Sequence, residues 1–418
     1  MIRTNRSAAA VLGFVLAIAA CENETINRPF LDTPIDPLFN RYVSMGNSIT
    51  AGVQSGGIND STQSQSYAVL LARAMGSPFF VPFMNKPGCP PPITNVFAQP
   101  APTRVGGGTA TTCALRKSQS PPPPFISNTA VPSAEVIDIY NNLDATSNAN
   151  SLTQFFLGGL TQAQMMRRAQ PTFVSVWIGN NDVLGAATNA ANGGDSTLIT
   201  PVATFQGNYT TLLDTLAAAA PRGAVLIGVA NVTAIPFFSS GAIYFAIKNN
   251  QVPGVVFPPA FTVSNNCAPS SLLPGVGRGD STLVPFPYGA ALIGAAAAGQ
   301  PRNLDCGDGT AQIVVPKELI KLLGAVQAYN AFISAQATAH GWAYLDPNPA
   351  LDSLRLLPQP NTVVRAFPLI GQPCSANPFG SAFSCDAVHP SAATQRLIAE
   401  KLRRAINAAY TTSIPPIP

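Results

Sequence analysis

Only two histidines occur in the chain, His340 and His389. Any imidazole that shuttles protons must be one of them, because histidine alone ordinarily titrates near neutral pH. His389 closes the run Asp386-Ala387-Val388-His389. A carboxylate three residues away on a loop reaches the ring N–H, fixes its tautomer and stabilises the imidazolium. Such an imidazole serves as base to a hydroxyl nucleophile. Ser48, in Met45-Gly46-Asn47-Ser48-Ile49, follows an apolar run and opens a short helical pattern. Open α/β sheets gather their ligands at such strand ends. The Ser48 N–H there faces a developing oxyanion, and Asn181 in Gly179-Asn180-Asn181-Asp182 offers an amide donor to the same charge. Gly88 permits close backbone approach and supplies a third N–H. The chemistry these groups share is acyl transfer: Ser48, His389 and Asp386 for the nucleophile and its relay, and Ser48, Gly88 and Asn181 for the oxyanion.

Other features carry less. His340 ends a helical pattern beside Gly341, where the helix dipole favours a cation, so it reads as structural. Gly194-Asp195-Ser196 and Gly279-Asp280-Ser281 follow no strand. Gly275-Val276-Gly277-Arg278-Gly279 is no dinucleotide loop for the same reason. Asp305 and Asp308 lack the further ligands of a calcium loop. Two separated histidines argue against zinc, so no metal and no cofactor are expected.

The elements that must position these groups read clearly in places. Strand patterns occupy 42–45, 79–84, 172–178, 224–229 and 342–345, all short and apolar. Helical patterns occupy 66–75, 151–157, 162–169, 203–219, 316–340 and 390–409, with Pro390 suited to a first turn. Alternation of helix with buried strand predicts an α/β fold, three layers with a doubly wound, mostly parallel central sheet. A proline-rich loop is expected over 86–130. Residues 235–313 show no sustained period, and a stretch that long reads as a lid-like insertion. It contains Phe237, Phe238, Tyr244, Phe245, Phe257, Phe261, Phe286 and Tyr288. These either line an acyl pocket or form a satellite core under a long loop.

The blocks around Ser48, Gly88, Asn181 and Asp386/His389 run in one order over residues 41–390. In that order the chain resembles the SGNH (GDSL-type) hydrolase family, including its bacterial lipoprotein members. The resemblance implies a flavodoxin-like sheet and a serine hydrolase cleaving carboxylic esters through a covalent acyl-enzyme. Ser48 is then the nucleophile and Asn181 an oxyanion donor; the match at Gly88 is the weakest of the four. Asn47 stands where the family usually has Asp. The family's range also leaves room for a carbohydrate O-deacetylase, or for a non-catalytic outer-membrane binding lipoprotein.

Of the 418 residues 10% are charged and 46% hydrophobic, which excludes a charge-driven disordered chain. A net charge of +4 without a basic stripe excludes nucleic acid as a partner. After Arg3 and Arg6 an uncharged run from Ala8 to Ala20 ends at Cys21. It is too short to span a bilayer and fits a signal peptide over 1–20. Ile18-Ala19-Ala20-Cys21 resembles a lipobox, which implies a lipid on Cys21 and, with Glu22 following, outer-membrane placement. A tether over 21–38 then leads to one hydrolase domain over 39–412 and a proline-rich tail over 413–418. Export permits disulfides, and the six remaining cysteines fall in three local pairs: Cys89–Cys113, Cys267–Cys306 and Cys374–Cys385. The expected partners are an ester substrate and the membrane holding the lipid anchor; oligomeric state is left open.

Overall fold

The computed structural model describes residues 33–141, 151–358 and 360–417. The expected signal peptide, Cys21 and most of the tether lie outside them. Four parallel strands form the central sheet: β1 (Tyr42–Gly46), β2 (Phe173–Trp177), β3 (Gly223–Ile227) and β4 (Ala343–Leu345), in the order β1-β2-β3-β4. Every residue of β1, β2 and β3 is buried, as a parallel sheet covered on both faces requires.

Successive side chains alternate between the faces. Val43, Met45, Val174, Val176, Ala224 and Leu226 pack on helices α3 (Gln162–Ala169), α5 (Val202–Ala218) and α6 (Pro316–Ala339). Tyr42, Phe173, Val225 and Ile227 pack on α2 (Tyr67–Met75) and α8 (Ala392–Tyr410). Helices thus cover both faces of an α/β/α sandwich. Two shorter helices open from strand ends, α1 (Ser48–Ala51) after β1 and α4 (Asn181–Ala187) after β2; α7 (Asn348–Arg355) follows β4.

Three expectations need correction. The strand expected over 79–84 is not one: Pro78 and Pro82 lack the N–H that a ladder needs, its one bridge is the isolated one between Met84 and Arg116, and Phe80 O accepts from Ser127 N and Asn128 N without forming a ladder. The place beside β1 belongs instead to 127–131. Ser44 N donates to Ser127 O at 2.9 Å, Thr129 N to Ser44 O at 2.9 Å, and Val131 N to Gly46 O at 3.1 Å. Second, Ser391 caps α8, accepting from Thr394 N, so Pro390 lies before the helix rather than in its first turn.

Third, the 235–313 stretch is regular. It holds helices Gly241–Lys248 and Phe286–Ala297. Phe238–Ser240 pairs antiparallel with Leu283–Pro285, and Phe261–Val263 parallel with Arg302–Leu304. These elements enclose Tyr244, Phe261, Val284 and Leu304 around the Cys267–Cys306 disulfide. The helices were missed because Gly and Ala dominate Phe286–Ala297 and blur its apolar stripe. Disulfides Cys89–Cys113 and Cys374–Cys385 also form. The proline-rich tail folds back on α8, with Ile414 buried and its carbonyl accepting from Arg403 Nη1 and Asn407 Nδ2, each at 3.0 Å.

Candidate active site

Asn47 ends the turn out of β1. Its Oδ1 accepts from Ile49 N at 3.1 Å, capping α1 and presenting Ser48 at the first helical position. Gln162 brackets the strand end before it: Gly46 N donates to Gln162 Oε1 and Gln162 Nε2 to Gly46 O, both at 2.9 Å. Ser48 is therefore held from both sides, by the Asn47 cap and by the Gln162 amide on Gly46.

Ser48 Oγ lies 2.8 Å from His389 Nε2, and His389 Nδ1 lies 2.7 Å from Asp386 Oδ2. An ionised carboxylate only accepts, so Nδ1 carries the proton and Nε2 accepts from the Ser48 hydroxyl. Asp386 is itself tied down. Its Oδ1 accepts from Val388 N at 2.9 Å, His389 N at 2.8 Å and Ser384 Oγ at 3.1 Å; its Oδ2 also accepts from Gly56 N. Burial pushes this carboxyl up, but the His389 imidazole and the Val388 and His389 backbone N–H groups outweigh it and hold it at about 2. The disulfide at Cys385 adjoins the loop, and Cys385 N donates to Ser55 Oγ at 3.1 Å. Phe237 N, at the root of the insertion, donates to Ala387 O at 3.1 Å.

Asn181 Nδ2 donates to Ala134 O at 2.8 Å, which orients the amide and leaves its second N–H for the cavity that Asn181 shares with Ser48 and His389. Asp182 beside it is buried, and its Oδ2 accepts from Val136 N at 3.0 Å. Burial, then the facing Glu135, push Asp182 up to about 8; burial, then Asp138, push Glu135 up to about 7.

Gly88 does not join this group. It is buried at φ +135°, and a Cβ there would stand 2.5 Å from Ile58 O. It serves the packing of the 86–92 turn and does not line the cavity. The reason is the misplaced strand: the segment flanking β1 is 127–131, and its continuation, Ser133 at φ 64°, precedes the Ala134 carbonyl bound by Asn181. Sequence reasoning missed this segment because its Ser, Asn and Thr residues lack a strand's apolar signature. It also missed Gly56, whose left-handed backbone (φ 59°) aims an N–H at Asp386; the Ser55-Gly56-Gly57 run was its one available signal. His340 caps α6 and stacks on Trp342 at 4.4 Å, away from the site.

A cavity of about 250 Å³ opens at Ser48 and runs along the C-terminal strand ends. The chemistry available there is proton removal from Ser48 beside an amide donor, with no other imidazole near.

The family described as GDSL-like Lipase/Acylhydrolase matches residues 42–402. Among solved structures, an extracellular lipase from Streptomyces rimosus aligns at 14% identity, over 88% of this chain and 99% of that one, with a TM-score of 0.37. An acetylxylan esterase from Geobacillus stearothermophilus aligns at 11% identity over 90% and 95%, also with a TM-score of 0.37. No curated protein matches the chain.

Proposed function

The chain belongs to the GDSL-like lipase/acylhydrolase family, and on that premise we propose that it cleaves carboxylic esters as a serine hydrolase. One observation carries the reading: the unbroken Ser48–His389–Asp386 hydrogen-bond chain opening on the cavity. His389 takes the Ser48 proton as Oγ attacks the ester carbonyl. The oxyanion is held by Ser48 N–H and Asn181 Nδ2, with a backbone N–H of the 132–134 turn in the part first expected of Gly88. His389 then protonates the leaving alcohol. Water, deprotonated by the same ring, releases the acid from the acyl-enzyme.

Export is part of the proposal. Three disulfides suit an oxidising compartment, the sequence up to Cys21 suits a lipid anchor there, and Glu22 after it suits the outer membrane. Loss of detergent-phase partitioning in Cys21→Ala tests the anchor. A fluorophosphonate probe tests the chemistry. Wild type is expected to label at Ser48 and Ser48→Ala not to; a folded wild type that fails to label overturns the enzyme reading.

A further inference from the structure

Resting on the hydrolase reading, we propose that the substrate's acyl group is a medium-length hydrocarbon chain of about ten carbons, and that α7 and α8 set its length. The cavity passes from Ser48 after β1, over Trp177 and Leu184 near the β2 end, past Val232 and Ile235 beyond β3, to Leu345 at the end of β4. Leu351 and Leu354 of α7 and Leu397 and Ile398 of α8 close it. These are aliphatic side chains. Polar residues also border it, but few face inward freely: Asn47 Nδ2, Trp177 Nε1 and Asn180 Oδ1 are buried, and Asn231 Oδ1 is taken by Thr233 N and Oγ1; beyond the Ser48 site, Thr394, Asp346 and Lys401 complete the polar lining.

Size follows from two independent measures. A cavity of ~150 Å³ accommodates the six carbons of benzene, so 250 Å³ accommodates about ten. The run from β1 to β4 crosses three interstrand spacings of about 4.8 Å, roughly 14 Å. An extended chain advances about 3.5 Å per three bonds, so that length takes about twelve bonds. At the far end stand Asp346 and Lys401, both exposed, where a longer chain must emerge into water beside charges. The pocket suits the acyl side of the ester because the acyl group stays bound to Ser48 while the alcohol leaves and water enters.

The insertion plays no part in this wall beyond Ile235. Its aromatics are spent elsewhere: Phe257, Phe261 and Tyr244 pack on one another, and Phe286 packs on Phe379. Tyr244, Phe245, Phe257, Phe261 and Tyr288 thus form the satellite core, Phe237 and Phe238 join the main core, and none of the eight lines the cavity.

The experiment is kcat/KM on p-nitrophenyl esters from acetate to palmitate with the full chain, beside fluorophosphonate labelling of Ser48. The expected profile rises at least tenfold from acetate to the eight-to-twelve-carbon esters and falls at palmitate. Leu354→Trp is expected to lower the decanoate-to-acetate ratio at least tenfold, and Leu354→Ala to move the optimum to longer chains. Far-ultraviolet circular dichroism checks that each variant folds, and the wild-type profile decides alone if neither does. Labelling with a flat profile, or with acetate preferred, overturns the acyl-length inference and leaves the hydrolase standing. Absence of labelling overturns both.

Discussion

Two regions of the molecule invite opposite guesses and repay neither. The insertion is rich in aromatic side chains and follows no obvious period, which suggests a binding surface. The crevice at the strand ends is bordered by short loops of Ser, Gly and Asn. Yet the insertion closes most of its aromatics around the Cys267–Cys306 disulfide, while the crevice keeps Ser48, His389 and an apolar cavity open. Rings that can stack on one another satisfy themselves; a strand end in a parallel sheet has no neighbour to finish it. Composition therefore marks where a core can form, and topology marks where a ligand can sit.

The largest test of this contrast is at the carboxylate. Asp386→Asn is expected to lower kcat about 10⁴-fold with binding of an inactive ester analogue retained, because the ring loses its fixed tautomer. A change below tenfold in steady-state turnover would break the assignment of Asp386. Next in size, Asn181→Ala is expected to cost ~10²–10³ in kcat. Since Asn181 Nδ2 also holds Ala134 O, thermal denaturation should accompany the kinetics, and a loss of fold without a kcat defect in the surviving protein would sink the oxyanion role.

The disulfides sharpen the comparison directly. In the chain-entropy picture Cys267–Cys306 contributes ~4 kcal/mol and Cys374–Cys385 ~3 kcal/mol, the first closing the longer loop. Removing Cys267–Cys306 as a double Ala variant should destabilise more and leave turnover within about threefold. Removing Cys374–Cys385 should destabilise less and lower turnover more, because Cys385 adjoins Asp386. Denaturant midpoints and turnover measured on both variants give the ordering, and the reverse order would contradict it.

The smallest expected effect is in pH dependence, and it too belongs to the crevice. Asp386 is held at about 2, below its ordinary 3.8, so it contributes about 2 kcal/mol that is present above pH 4 and lost as pH falls towards 2. Asp182 and Glu135 are displaced the other way, to about 8 and about 7. The folded state keeps their protons longer than the unfolded chain, so their effect is a decline in stability as pH rises from about 4 to about 8. Melting temperature against pH should show both slopes. Asp182→Asn should flatten the upper one, and an unchanged upper slope would mean that other groups cause it.

Much of this was legible in residues alone. Long helices such as α5 and α6 announce themselves by period, and β1, β2 and β3 by unbroken apolar runs. The scarcity of histidine points to His389, and three local cysteine pairs suggest the disulfides that form. These features are local, so sequence can carry them. What only the tertiary structure decided is which segment lies beside β1. Residues 79–84 look like a strand and 127–131 do not, but Pro82 cannot donate to a ladder, whereas Ser127, Thr129 and Val131 can hydrogen-bond to β1 in register. That single pairing is what separates Gly88 from the crevice and places the turn before Ala134 beside Asn181. Likewise no spacing reveals that Gly56 reaches Asp386, or that α7 rather than the aromatic insertion walls the cavity. Such contacts join residues hundreds of positions apart, and they are chosen by which surfaces the packed sheet leaves facing each other.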